Sequence, residues 1–273
     1  MAPTSQVQSG VVRRWQRLMR SSKARRTEQQ FAIEGVRSLL HAVESGFRVR
    51  AVICCRKLQQ NWRVRRLLRE LEDVPVAHVG PAAFRQISRL PRASGIAAIV
   101  EMKTVPLGYV FEEPNCPGFA LAVTRMRSSG NLGTLLRTAA AAGCAGLIVI
   151  GNELDPFDPD SVRASMGAVF RVPIVRTTWD RFTDWQEQNT CQVVGAHPSA
   201  IQDYDGVEYA APSVLMLGEE RRGLSSRQKQ ACDHLVRIPM VSGTDSLNVS
   251  VAGSLIMYQM RQGIAPTRKA HHE

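Results

Sequence analysis

Five polar residues in three separated stretches carry side chains suited to chemistry. Asn131 and Arg137 lie in SSGNLGTLLRTAAAAG (Ser128–Gly143), Glu220 lies in LGEERRGLS (Leu217–Ser225), and Ser246 and Asn248 lie in IPMVSGTDSLNVSVAGSLIMYQM (Ile238–Met260). The first stretch reads as a strand-to-helix turn: Asn131 can cap the helix, Gly133 permits close approach and Gly143 ends it. Arg137 then falls two turns into an otherwise apolar helix, where a guanidinium must find a partner or face a cleft. The second stretch leaves a buried strand at Leu217 and enters a polar loop. Backbone N–H groups from Gly218 onward thus fall at the carboxyl end of a parallel sheet, where open α/β sheets bind ligands. Taken alone, a surface turn with i,i+3 charge pairs explains that loop better. The third stretch joins a strand, a Ser/Gly/Thr/Asp loop and a helix beginning near Asn248, with Ser246 as a natural N-cap. From Asn248 to Met260 the helix is apolar almost all round, which demands burial against another helix or another subunit.

Other chemistries lack their residues. No two of the 20 glycines are separated by a single residue, so there is no G-x-G-x-x-G fingerprint, and no G-x-x-x-x-G-K-[ST] phosphate loop occurs. There is no G-x-S-x-G elbow, and His41, His78, His197, His234, His271 and His272 show no metal-ligand spacing. The six cysteines (54, 55, 116, 144, 191 and 232) are scattered without a C-x-x-C pair, which reads as reduced cytoplasmic thiols with no zinc site. No apolar run approaches the roughly 20 residues of a membrane-spanning helix. No signal-peptide core lies among the first thirty residues, so a cytoplasmic protein is expected.

The elements that must position these residues alternate. Basic residues interleave with Trp15, Leu18 and Met19 between Val11 and Thr27, a pattern for an exposed basic helix or a mobile arm over residues 1–27. Strand Phe31–Gly35, helix Val36–Ser45 and strand Val49–Cys54 form a βαβ unit, followed by helix Arg63–Glu72, extended Val74–Val79, helix Pro81–Ser88 and strand Gly95–Glu101. Residues 28–104 thus close as a small α/β domain. Pro106, Gly108, Pro114, Pro117 and Gly118 mark 105–118 as a linker. Beyond it, strands at Phe119–Thr124, Gly146–Ile150, Cys191–Gly195, Ser213–Leu217 and Val236–Met240 alternate with helices. That pattern predicts an α/β domain over 119–265 with a parallel sheet covered on both faces, followed by a tail at 266–273.

The chain has 273 residues and a net charge of +11. Residues 1–104 hold 20 Lys/Arg against 7 Asp/Glu, and the remainder 15 against 17. A basic front half suggests a polyanionic partner bound with counterion release, the bland alternative being a solubilising surface.

Together the three stretches resemble the SpoU/TrmH family of RNA 2′-O-methyltransferases, whose motifs N-x-G-x-x-x-R, G-x-E-x-x-G-[LI]-S and I-P-M…S-L-N-V-S all occur here in order. SVRASMGAVFRVPIV (Ser161–Val175) also matches, so the likeness spans 119–263. Phe31–Cys54 with Gly95–Glu101 resembles the small RNA-binding domain that precedes the catalytic domain in many rRNA-modifying members.

The resemblance implies a deep trefoil knot in the carboxyl-terminal domain, with S-adenosylmethionine held mainly by main chain at Leu217, Gly218, Ile238, Met240 and Leu247. It implies active-site roles for Asn131, Arg137, Glu220, Ser246 and Asn248. Arg137 corresponds to the family's proposed activator of the ribose 2′-hydroxyl, although a guanidinium that stays protonated is better suited to clamp phosphate or stabilise an alkoxide. Methyl transfer from a sulfonium to a hydroxyl is an in-line displacement, so alignment in a water-poor pocket is what the residues must provide. The implied substrate is 23S rRNA, with tRNA methylation and a noncatalytic RNA-binding or ribosome-assembly role as alternatives, and the final helix is the implied homodimer face. Glu219 stands where many relatives carry Ser, Asn, Ala or Thr, and Arg221 and Arg222 follow where small or acidic residues are common. These added charges are expected to perturb the loop or touch RNA phosphates.

Overall fold

A computed structural model describes residues 3–112, 118–241 and 246–264. The expected tail, Cys116 and residues 242–245 of the third stretch lie outside the described residues. The chain groups into two compact units, Met1–Lys103 with Phe157–Phe170, and Thr104–Pro156 with Arg171–Glu273.

The first unit opens with helices α1 (Pro3–Arg20) and α2 (Ser22–Glu28). It continues through β1 (Gln30–Glu34), α3 (Val36–Glu44), β2 (Val49–Cys55), α4 (Trp62–Glu70), β3 (Val76–Val79), α5 (Pro81–Ile87) and β4 (Ile96–Glu101). The strands form a mixed sheet in the order β1-β4-β2-β3, in which β4 runs antiparallel to the other three. The described part of the basic amino-terminal segment is helical and not wholly exposed. Trp15, Leu18 and Met19 lie in the core of the sheet's domain, and Trp15 Nε1 donates to the Ile33 carbonyl at 3.2 Å. The i, i+3, i+4 spacing of these residues makes α1 amphipathic, so its arginines line the outer face while the apolar stripe is buried.

A segment inserted between strands of the second unit, Phe157–Phe170, completes the first. Phe157 packs on Phe31 with ring centroids 4.8 Å apart, and Phe170 meets Phe47 edge-on at 5.2 Å. Asp158 accepts from the guanidinium of Arg25 at 3.0 Å and caps α7 (Pro159–Ala164) through its other oxygen. Arg25 is only 2% exposed and also donates to the Leu18 carbonyl, so this insertion supplies the counter-charge that a buried cation requires. SVRASMGAVFRVPIV, contiguous in sequence, is therefore divided between the two units after Phe170.

The second unit carries β5 (Phe119–Thr124), α6 (Ser129–Ala142), β6 (Leu147–Ile150), β7 (Ile174–Thr177), α8 (Trp179–Gln188) and β8 (Gln192–Ala196). It ends with β9 (Gln202–Asp203), β10 (Ser213–Leu217), α9 (Ser226–Gln230), β11 (His234–Arg237) and α10 (Val249–Ile264). Seven parallel strands run in the order β7-β6-β5-β10-β8-β11-β9, the α/β architecture expected. The last long strand is His234–Arg237, two residues earlier than Val236–Met240, which frees Ile238 and Met240 as loop. Of the expected linker at 105–118 the described part, 105–112, is packed: Val105 N–H donates to the Ile174 carbonyl, Val110 is buried, and Phe111 stacks on Trp185 at 5.8 Å. Pro106 leads into a 3-10 turn, Leu107–Phe111, that contains Gly108. No helix among the described residues is long and apolar enough to cross a membrane.

The sheet's order places the site. From β5 the chain builds outward through β6 and β7, whereas β10 on the other side of β5 neighbours β8. The turns leaving β5 and β10 therefore lie side by side at a topological switch point. Leu132, Leu135, Leu136 and Ala139 of α6 are buried, and α10 packs against α6 at Gly253, where an added Cβ would lie 2.7 Å from Leu135 and 2.6 Å from Leu217. Thr138 and Ser254 share a 2.8 Å hydroxyl contact at the same crossing.

Candidate active site

The turn after β10 folds back on itself. Gly223 has φ +63°, its N–H donates to the Glu219 carbonyl at 2.8 Å, and its carbonyl group lies where a Cβ on Gly218 would come within 2.3 Å. Only glycine fits at 218, which accounts for the spacing of the two glycines. The turn aims Glu220 at the start of α6. Its carboxylate accepts from the main-chain N–H groups of Arg127 and Ser128, both at 3.0 Å, and from Asn131 Nδ2 at 3.2 Å. An anion at a helix N-terminus is favoured because those N–H groups have no intrahelical acceptor. Partial burial works against the charge, yet hydrogen bonds from the N–H groups of Arg127, Glu220 itself, Ser128 and Asn131 outweigh it and hold the carboxyl below its ordinary pKa.

The same chain of contacts reaches the third stretch. Asn248 Nδ2 donates to Asn131 Oδ1 at 3.1 Å, while Asn248 Oδ1 accepts from Ser250 N–H at 2.8 Å and Ser250 Oγ at 2.6 Å. Both amides are thereby oriented: each carbonyl has a donor and each NH2 an acceptor. The helix caps differ from expectation. Ser128 caps α6 by accepting from Asn131 N–H, and Asn248 caps α10, which leaves Ser246 exposed two residues upstream. Asn131 is thus freed from capping and spans Glu220 and Asn248.

Beside this chain lies a cleft of about 360 Å³, lined by Leu217, Gly218, Glu220, Ile238, Met240, Ser246 and Leu247 among others. All five residues expected at a cofactor line it, as do two of the five expected catalytic residues; Asn131 and Asn248 join Glu220 by hydrogen bonds. Arg137 stands apart. Its side chain is exposed, on the same face of α6 as Thr134 and Ala141, and it does not line the cleft. The apolar composition of the helix hid this, because its alanines sit equally well in or out of the core. Glu219 is buried and pairs with Arg127 at 3.1 Å, so that added charge is spent on locking the turn to the β5 end. Arg221 and Arg222 are exposed on the rim of the cleft.

Sequence reasoning missed Arg127 and Ser128, whose contribution is backbone N–H, and His197, which lines the cleft just beyond β8. Burial and then the nearby Lys229 lower the His197 pKa, and its Nδ1 accepts from Ser199 N–H. The rule that parallel strands bind ligands at their carboxyl ends could have found it.

Residues 118–258 match the SpoU rRNA Methylase family, and residues 10–98 match the MRM3-like substrate binding domain. The 23S rRNA (uridine(2479)-2′-O)-methyltransferase of Streptomyces viridochromogenes is 31% identical over 269 residues, covering 92% of this chain and 89% of that protein. The crystal structure of the SpoU methyltransferase AviRb from the same organism, in complex with AdoMet, superposes with a TM-score of 0.83 at 30% identity, over 92% of this chain and 96% of that one. An AdoMet-bound rRNA methyltransferase from Sinorhizobium meliloti gives a TM-score of 0.83 at 30% identity, over 92% and 94% of the two chains. On the cleft geometry and this likeness, the chain belongs to the SpoU rRNA methylase family.

Proposed function

We propose that this protein is an S-adenosylmethionine-dependent methyltransferase that modifies a ribose 2′-hydroxyl of ribosomal RNA, with 23S rRNA as substrate. The observation that carries the reading is the hydrogen-bonded run Glu220–Asn131–Asn248, which ties all three motif stretches together beside a cleft of small-molecule size. The AdoMet-bound relatives and the rRNA specificity in the name of the Streptomyces protein support the same chemistry.

The cleft suits the cofactor because much of its wall is main chain. Gly218 brings bare backbone to the cleft, and the irregular segment around Ile238 and Met240 leaves N–H and C=O groups unclaimed by the sheet. Together with Leu217 and Leu247 these residues hold the adenosine and methionine parts. Bound there, S-adenosylmethionine supplies an electrophilic methyl group. Asn131 and Asn248, with their amides fixed, orient the ribose, and Ser246 and the ionised Glu220 complete the polar edge of the site. Arg137, exposed and outside the cleft, meets the substrate only where RNA or a second protomer is brought to it, and as a protonated guanidinium it stabilises the developing alkoxide or holds phosphate.

Residues 1–103 with 157–170 act as the RNA-substrate-binding unit, in keeping with the basic front of the chain and the matched substrate-binding domain. The protein works as a homodimer through α10. Val251, Leu255 and Tyr258, spaced i, i+4 and i+7, are 46%, 41% and 44% exposed, an apolar stripe that a monomer leaves in water. The deep knot belongs to this reading as a family property. A ribosomal RNA substrate and the lack of a disulfide among the described cysteines fit the cytoplasm.

The test is transfer of labelled methyl from S-adenosylmethionine to unmodified 23S rRNA, 16S rRNA and tRNA. Label in 23S rRNA supports the proposal. Label in tRNA alone replaces the substrate, and no label with undiminished RNA binding favours a noncatalytic RNA-binding protein.

A further inference from the structure

Trp62 is 67% exposed, whereas Trp15 and Trp185 are 1% and 8% exposed and Trp179 is half-buried. Its exposure follows from helix phase. Asn61 caps α4 by accepting from Arg63 N–H, and Val64 and Leu67 then face the core. Trp62, two residues before Val64, is turned about 200° away from that face. A large ring in water contributes nothing to folding that a smaller side chain would not. Its company is cationic: the Arg63 guanidinium lies over the ring, 5.4 Å from its centroid. Arg56, Lys57, Arg65, Arg66 and Arg69 are also exposed. Of the acidic residues nearby, Glu70, Glu72 and Asp73 all lie at or beyond the far end of α4, and Glu70 is bonded to Arg66.

The support beneath is firm. The turn Arg56–Gln60 that precedes the helix is pinned by Cys55 N–H donating to the Gly95 carbonyl at 2.7 Å. Leu58 packs where a Cβ on Gly95 would come within 2.7 Å.

We propose that the ring of Trp62, backed by Arg63, is a stacking platform for an unpaired base of the RNA substrate. Arg56, Lys57 and Arg69 take the phosphates on either side. Aromatic side chains beside basic ones hold single-stranded nucleotides in this way, because every base has a π face and every link a negative charge. This inference rests on the reading that RNA is the substrate, and it assigns the first unit a preference for unpaired over duplex RNA.

The experiment measures binding of the full-length protein to a short oligoadenylate and to a blunt RNA duplex of equal length by fluorescence anisotropy, alongside methyl transfer to 23S rRNA. Trp62→Ala is expected to weaken oligoadenylate binding about tenfold, with Trp62→Phe staying within about threefold of the parent. Duplex binding should be unchanged in both. Oligoadenylate quenching of tryptophan fluorescence should vanish in Trp62→Ala. Undiminished oligoadenylate binding by Trp62→Ala, equal losses for strand and duplex, or Trp62→Phe as weak as Trp62→Ala would each overturn the platform. If the platform passes while the parent transfers no methyl, the enzymatic reading fails alone; if methyl transfers while Trp62→Ala binds normally, the platform fails alone.

Discussion

Asn248 donates a hydrogen bond to Asn131 across 3.1 Å, joining the cap of α10 to the first turn of α6 across 117 positions of the chain. The same Asn248 caps α10 and the same Asn131 donates to Glu220, so the contact sets the spacing between the cleft and the start of α6. Single replacements Asn131→Ala and Asn248→Ala should each destabilise by about 1 kcal/mol, and the double replacement by less than their sum, because they share one network. Urea unfolding of the four proteins checks this. Strict additivity would mean that the contact carries no coupling.

Glu220 is held below its ordinary pKa in the folded protein. A depressed carboxyl stabilises the fold above its unfolded pKa and loses that contribution as pH falls through its folded value. Glu220→Gln should therefore lower thermal stability at neutral pH, by about 1 kcal/mol as for a lost helix cap. The gap should narrow as pH falls through the ordinary carboxylate range and close only once pH has passed below the carboxyl's lowered folded value. Melting curves across the acid range decide it; a gap that widens on acidification would contradict the assigned sign.

Gly218→Ala places a Cβ within 2.3 Å of the Gly223 carbonyl carbon and oxygen. The turn must open, at a cost of about 1–3 kcal/mol, and the main-chain wall of the cleft moves with it. Calorimetric titration with S-adenosylmethionine should register a loss of affinity of tenfold or more, since each about 1.4 kcal/mol is a factor of ten. Parent-like affinity would separate this turn from cofactor binding.

Arg137 is exposed and off the cleft, so Arg137→Ala should change stability by no more than about 0.5 kcal/mol. Methyl transfer in single-turnover assays should nonetheless fall by about 100-fold or more, as when a group that stabilises developing negative charge is removed. A near-normal rate would remove Arg137 from the chemistry.

Asp158→Ala removes one ion-pair partner of Arg25, a cation only 2% exposed, and also uncaps α7. The loss should be about 3–5 kcal/mol, and Arg25→Met in the same protein should restore part of it. Denaturant midpoints of the single and double variants test this; no recovery in the double variant would mean that the cap, not the lost ion pair, carries the loss.

The parallel sheet was legible because its strands are short, apolar runs ended by glycine or polar turns, as in Phe119–Thr124 and Ser213–Leu217. The three motif stretches were legible because residue type and spacing survive without knowledge of contacts. What escaped was phase and partnership. Ser246 and Asn248 are equally good caps in isolation, and only the placement of Gly253 on Leu217 and Leu135 fixes where α10 begins. The run of alanines in α6 carries no apolar stripe strong enough to tell which face Arg137 takes. The aromatic seat of Phe157 and Phe170 on Phe31 and Phe47 joins residues more than a hundred positions apart, which local patterns cannot encode.

The most direct test of the enzymatic reading is a map of the product. Unmodified 23S rRNA incubated with the protein and S-adenosylmethionine is subjected to partial alkaline cleavage and read nucleotide by nucleotide. A single new position resistant to alkali, absent with Glu220→Gln or Arg137→Ala, is the expected result, because a methylated 2′-hydroxyl cannot attack its own phosphodiester. An incorporated methyl group with an unaltered cleavage ladder would put the modification on a base and contradict the account.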